Sequence, residues 1–152
     1  MQDIAMQNRV QLRRVNRNDW KWIQNWFEDE LLNSELGPVD ESWLEHVLGE
    51  NEGVELIAEE NGSPVAIVGV LWGNPYHVVT NIAVYPKLRR TGIGRRILPK
   101  VLTWPGHPRT LEWITFVSEE NDAAASFFKS LGWVENGVED LMVRYKFEVL
   151  QM

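Results

Sequence analysis

Residues 84–100 read V-Y-P-K-L-R-R-T-G-I-G-R-R-I-L-P-K, and the rest of the chain is organised around them. An apolar strand ends at Pro86, and a basic turn with two glycines follows. Apolar residues then recur at helical spacing, at Ile93, Ile97, Leu98, Val101 and Leu102. Strand, glycine turn and helix start form a layout that holds phosphate. The first N–H groups of a helix lack internal partners, and the helix dipole adds positive potential there. Gly92 and Gly94 remove the Cβ atoms that would keep an anion from the backbone. Residues 87–100 hold Lys87, Arg89, Arg90, Arg95, Arg96 and Lys100 and no acid, whereas the whole chain has 15 basic and 22 acidic residues. The motif is a positive island on an acidic protein.

Two nucleotide motifs are excluded. No G-x-x-x-x-G-K-[ST] string occurs, and Ile97 stands where a dinucleotide fingerprint needs its third glycine. What remains is R-x-x-G-x-G, at Arg89, Gly92 and Gly94. It resembles the acetyl-CoA signature of the GCN5-related N-acetyltransferase (GNAT) family. I-A-V-Y-P before it and N-D-A-A-A-S-F-F-K-S-L-G-W after it stand in the family's order. The resemblance covers roughly residues 10–147 and is firm from 77 to 133.

Composition agrees with one globular domain spanning 1–152, at 44% hydrophobic and 24% charged residues. No apolar run approaches the ~20 residues that cross a bilayer, so no membrane partner is expected. The polar start M-Q-D-I-A-M-Q-N-R is unlike a signal peptide and points to the cytoplasm. With no cysteine, disulfides, thiolate metal sites and a Cys nucleophile are excluded, and no metal is expected. A net charge of −7 argues against a nucleic-acid partner, which only the 87–100 island would suggest. The state is left open between monomer and homodimer.

In chain order, Val10–Val15 alternates weakly as a first strand. Asn16 caps a helix with Asp19 in its first turn and Trp20, Ile23, Phe27 and Leu31 on one face. Gly37-Pro38 breaks it. Asp40 or Ser42 caps a second helix that Gly49 ends. Val54–Glu60 and Pro64–Trp72 are strands joined by Asn61-Gly62, a strong hairpin signal. His77–Val84 is the next strand. Pro99 should kink or end the helix after the glycine turn. Leu111–Val117 is a strand, Asn121 or Asp122 caps a helix closed by Gly132, and Leu141–Val149 is a last strand. The order β-α-α-β-β-β-α-β-α-β is the family's mixed α/β layout.

The resemblance implies roles. Ile82, Ala83 and Val84 form the strand edge that bonds the pantetheine arm of acetyl-CoA, in a gap between this strand and the one at 111–117. Arg89, Arg90, Thr91, Gly92, Ile93, Gly94 and Arg95 cradle the pyrophosphate. Asn121 reaches the pantetheine or serves only as a cap. Ala124 lies beneath the cofactor or merely favours helix. Phe128 packs beside the thioester where relatives often place a Tyr acid. The carboxylate that many relatives carry on the strand before the motif is also missing, since that stretch reads Val78-Val79-Thr80-Asn81. His77 and Glu112 are the nearby titratable groups, and neither is assigned as the base. Residues 22–86 contain twelve acids and no Lys or Arg. Glu28, Asp29, Glu30 and Glu35, with Trp22, Trp26 and Trp43, suit a cationic amine or are ordinary surface and core. The expectation is an N-acetyltransferase acting on a small cationic amine or a protein amino group. The alternative is a CoA-binding sensor or interaction module without catalysis.

Overall fold

The computed structural model describes residues 9–149; the polar stretch at 1–8 and the end at 150–152 lie outside the described residues. The sheet has seven strands: β1 (Val10–Arg14), β2 (Gly53–Glu60), β3 (Ser63–Leu71), β4 (Tyr76–Val84), β5 (Glu112–Ser118), β6 (Val134–Glu139) and β7 (Met142–Glu148). Their order is β1-β2-β3-β4-β5-β7-β6. Only β4 and β5 run parallel, and the other pairs are antiparallel. The helices are α1 (Trp20–Trp26), α2 (Glu30–Leu36), α3 (Glu41–Leu48), α4 (Ile93–Leu102) and α5 (Asp122–Ser130).

Period-two alternation in the central strands feeds two cores. Ile57, Ile67 and Ala83 face α1 to α3 and pack with Ile23, Trp26 and Leu32. Leu56, Val68 and Val79 face the other way, with Ile97, Leu98 and Val101 of α4 and with Trp113, Phe128 and Tyr145. Burial on both faces explains the long apolar runs of β2 and β3, which only Glu55 interrupts in β2. Asn61 (φ 53°) and Gly62 (φ 86°) close their hairpin in the left-handed conformation that such a turn requires.

Three expectations change. The single helix from Trp20 to Leu31 is two helices. Asp29 accepts from Leu32 N (3.0 Å) and caps α2, and this restart turns Leu32 inward and leaves Leu31 51% exposed. Pro99 does not end α4, which continues to Leu102. Pro99 and Arg95 are both exposed, so the Arg95 carbonyl that loses its helical donor remains accessible to water. An additional strand, β6, precedes the last one. Its six residues are all exposed, so V-E-N-G-V-E carries no hydrophobic alternation, and its ladder to β7 is interrupted between Glu135 and Val138.

Candidate active site

β4 carries a bulge opposite β3. Gly69 pairs with Asn81 and Val70 with Val79, which leaves Thr80 as an extra residue. A bulge re-aims side chains. Here it sends both Thr80 and Asn81 into one cavity, on the side of the sheet where Ile67 and Ala83 lie. Glu55 of β2 pairs with Gly69 and belongs to the same row. Asn81 Nδ2 donates to Glu55 Oε2 at 3.0 Å, and Thr80 Oγ1 donates to Asn81 Oδ1 at 3.0 Å. Gly69 makes this convergence possible. A Cβ there would lie 2.2 Å from Asn81 Oδ1, 2.5 Å from Thr80 Oγ1 and 2.8 Å from Glu55 Oε1.

Glu55 is only 9% exposed. Burial pushes its carboxyl up to about 7, opposed by the Asn81 bond and assisted by the nearby charge of Glu50. The cavity above it measures about 300 Å³ and is walled by Phe27, Leu36, Val39 and Trp43, with Glu35 beside them. A half-ionised buried carboxyl on a cavity floor is equipped to move protons near neutral pH. The sequence reading missed Glu55 because it lies in a strand, G-V-E-L-I-A-E-E, that reads as ordinary buried sheet. The available signal was one acid inside an apolar run.

Of the acids read as an amine site, only Glu35 lines this cavity. Glu28 and Glu30 are exposed. Asp29 caps α2 and forms an ion pair with both terminal nitrogens of Arg89, which holds its carboxyl below the usual range. Among the tryptophans, Trp43 lines the cavity. Trp22 donates to Asp19 (3.0 Å), and Trp26 stacks on Tyr85 with centroids 5.1 Å apart.

The basic turn stands at the other end of β4. The parallel ladder joins Tyr76–Val79 to Glu112–Thr115 and stops, while β4 continues to Val84. Ile82, Ala83 and Val84 therefore pair with β3 on one side and have no β5 ladder on the other. Ile82 and Val84 face the α4 side, and Ala83 is buried against α1 to α3. Gly92 caps α4 at φ 85°, and no side chain caps that helix. Its first N–H groups thus face outward beside exposed Arg90, Thr91 and Arg95. Neither Arg90 nor Arg95 forms an ion pair with a described residue. Arg96 steadies the turn by bonding Glu60 (2.6 and 3.0 Å) and Thr91 O (3.0 Å). Ile93 is core. Gly94 serves helix packing, because a Cβ there would meet the Phe127 ring at 2.9 Å.

The remaining expected residues are placed as follows. Asn121 caps α5 through its Oδ1, which accepts from Ala124 N at 3.0 Å. Ala124 packs on the α4-side core. Phe128 is 5% exposed, and its ring sits among Trp133 (5.1 Å) and Tyr145 (6.4 Å). His77 is buried and structural, with Gly73 N donating to its Nδ1 (3.1 Å) and its Nε2 on Pro108 O (2.8 Å). Glu112 pairs with Lys146 at 3.7 Å, away from the Glu55 cavity.

Known proteins share this fold. The chain is 25% identical over 122 residues to the uncharacterized N-acetyltransferase YfmK of Bacillus subtilis, covering 78% of this chain and 81% of that one. An acetyltransferase from Thermus thermophilus superposes with a TM-score of 0.79 at 15% identity, over 92% of this chain and 97% of that one. Spermidine N-acetyltransferase from Vibrio cholerae, solved with CoA and spermine, gives 0.75 at 19% identity, over 91% and 95%. The acetyltransferase (GNAT) family profile matches residues 18–133, which take in the bulged strand, the uncapped helix start and the helix that Asn121 caps. The chain therefore belongs to the acetyltransferase (GNAT) family and is an acyltransferase.

Proposed function

We propose that this chain transfers the acetyl group of acetyl-CoA to a small primary amine, with Glu55 as general base. The observation that carries the proposal is Glu55 itself, a buried carboxyl near neutrality over Gly69 on a cavity floor. An alkylamine arrives protonated, since its pKa is about 10.4. Glu55 Oε1 takes that proton, directly or through one water, while Asn81 holds Oε2 and so fixes the carboxyl plane. Phe27, Leu36, Val39 and Trp43 wall the cavity and orient the amine chain. Acetyl-CoA supplies the thioester: a C–N bond forms at its carbonyl carbon, the C–S bond breaks, the bonded nitrogen gives up its second proton, and the departing thiolate takes one up as the free thiol.

The turn at 89–95 fits the diphosphate of CoA. The fit rests on an uncapped ten-residue helix, a left-handed Gly92 and two cations without ion-pair partners among the described residues. The β4 edge at Ile82–Val84, released from β5, suits the pantetheine arm. Asn121 and Ala124 start the helix beyond that gap. The Vibrio cholerae relative, solved with CoA and spermine, supports the same ligand classes here. The alternative of a CoA-binding module without catalysis rested on an absent carboxylate and an absent Tyr acid. Glu55 supplies a carboxylate from β2 instead of β4.

Release of free thiol during turnover, followed across a panel of amines, tests the reading. Glu55→Gln should lower kcat/KM by about 10²–10⁴-fold while CoA affinity holds. Because the base must be ionised, wild-type kcat/KM should rise with pH and flatten above about 7. A Glu55→Gln enzyme within a few-fold of wild type would remove Glu55 from the mechanism.

A further inference from the structure

The Glu55 cavity has a neighbour. A second cavity of about 230 Å³ shares Trp43, Glu55, Thr80 and Asn81 with the first. Its apolar wall is Val47 and Leu71, and it contains a second carboxylate, Glu50. No Lys or Arg lines either cavity. The Glu50 side chain is 18% exposed and lies 3.4 Å from His46 Nε2, and its Oε2 accepts from Glu52 N at 3.0 Å. Its charge raises the Glu55 carboxyl, so the two acids act on each other across the cavity. Glu55 is more than nine-tenths buried, and its Oε1, over Gly69, has no hydrogen-bond partner among the described residues.

Two mutually repelling carboxylates around an apolar wall are costly when unpaired. A chain with a cation at each end and methylenes between them would satisfy both. Glu35, at the first cavity, is a weaker counter-charge. It is exposed, and it already acts on Arg89. We infer that the acceptor is an aliphatic diamine or longer polyamine, with its reacting nitrogen at Glu55 and its distal ammonium at Glu50. The methylenes lie along Trp43, Val47 and Leu71. Glu50 is then a specificity residue. This inference rests on the acetyl-transfer reading above.

The test pairs α,ω-diaminoalkanes of three to six carbons with the monoamines of equal length, at pH 8 so that Glu55 is ionised. At least one diamine should exceed its monoamine in kcat/KM by about ten- to a hundred-fold, the worth of one charge-assisted contact. Glu50→Gln should collapse that ratio, chiefly through KM, and Glu35→Gln should leave the ratio in place. Calorimetry without CoA should show the preferred diamine binding wild type and losing affinity by a similar factor in Glu50→Gln. Turnover of monoamines with no diamine preference would overturn the inference and leave acetyl transfer standing. A ratio that follows Glu35 instead of Glu50 would also overturn it. No turnover of any amine would sink both readings.

Discussion

Replacing Glu55 by Gln should make the protein more stable, by an amount set by pH. An ordinary Glu titrates at 4.5, and burial moves Glu55 to about 7. Between those values the native state binds more protons at this site than the unfolded chain does. Stability is therefore lost as pH rises through that window, the reverse of a salt-bridged carboxylate. At about 1.36 kcal/mol per pH unit, the full cost of ionising Glu55 in the fold is about 3 kcal/mol above pH 7. Most of it, about 2–3 kcal/mol, should develop between pH 5 and pH 8, since the unfolded carboxyl is already mostly ionised at pH 5. Gln does not titrate, and its Oε1 can still accept from Asn81 Nδ2. Urea unfolding of both proteins at each pH, followed by tryptophan fluorescence, measures the difference, because every other titration cancels. The variant should gain on wild type by about 2–3 kcal/mol from pH 5 to pH 8. A gap that stays flat within about 0.5 kcal/mol, or that closes with rising pH, would mean that Glu55 is hydrated. The argument for a base tuned near neutrality would then fail. Stability gained with activity lost is the signature of a group strained for function.

Other consequences are separate. Gly92→Glu places a Cβ at φ 85° and a carboxylate against the uncapped start of α4, so calorimetry should show loss of CoA binding; affinity equal to wild type would remove the turn from the site. Phe128→Tyr places a hydroxyl beside Trp133 and Tyr145 and should cost about 1–3 kcal/mol in unfolding experiments, with kcat little changed; a raised kcat at full stability would return residue 128 to the active site. His107 accepts from Trp72 Nε1 (3.0 Å) through Nδ1 and meets Val101 O (2.7 Å) through Nε2, and burial above all lowers its pKa. Its stabilising effect should be full above about 6.5 and decline as pH falls, so the stability gap between wild type and His107→Phe should narrow from pH 7 to pH 5. A gap that is constant with pH would show that His107 is not held neutral.

The sequence by itself determined the features whose causes are local. Asn61-Gly62 closes the hairpin because its two residues accept left-handed backbone. Both helix starts had a cap candidate in the sequence, Asp40 or Ser42 and Asn121 or Asp122, and Asp40 and Asn121 take the role because their side chains reach an N–H three residues on. The run R-T-G-I-G placed a helix start where anions are held, and the strands on either side gave the mixed sheet. Local reasoning also had limits. The exposed edge strand β6 carries no alternation to read, and Asp29 looked like a free acid until α2 and Arg89 claimed it. Only the tertiary structure singled out Glu55. Glu55 becomes special because a residue without a Cβ lies opposite it on β3, a bulge turns Asn81 toward it from β4, and α1 to α3 exclude water above it. Those partners lie 14 and 26 residues away along the chain. Desolvation is a property of everything packed around a group, so no pattern in the neighbouring sequence could announce it.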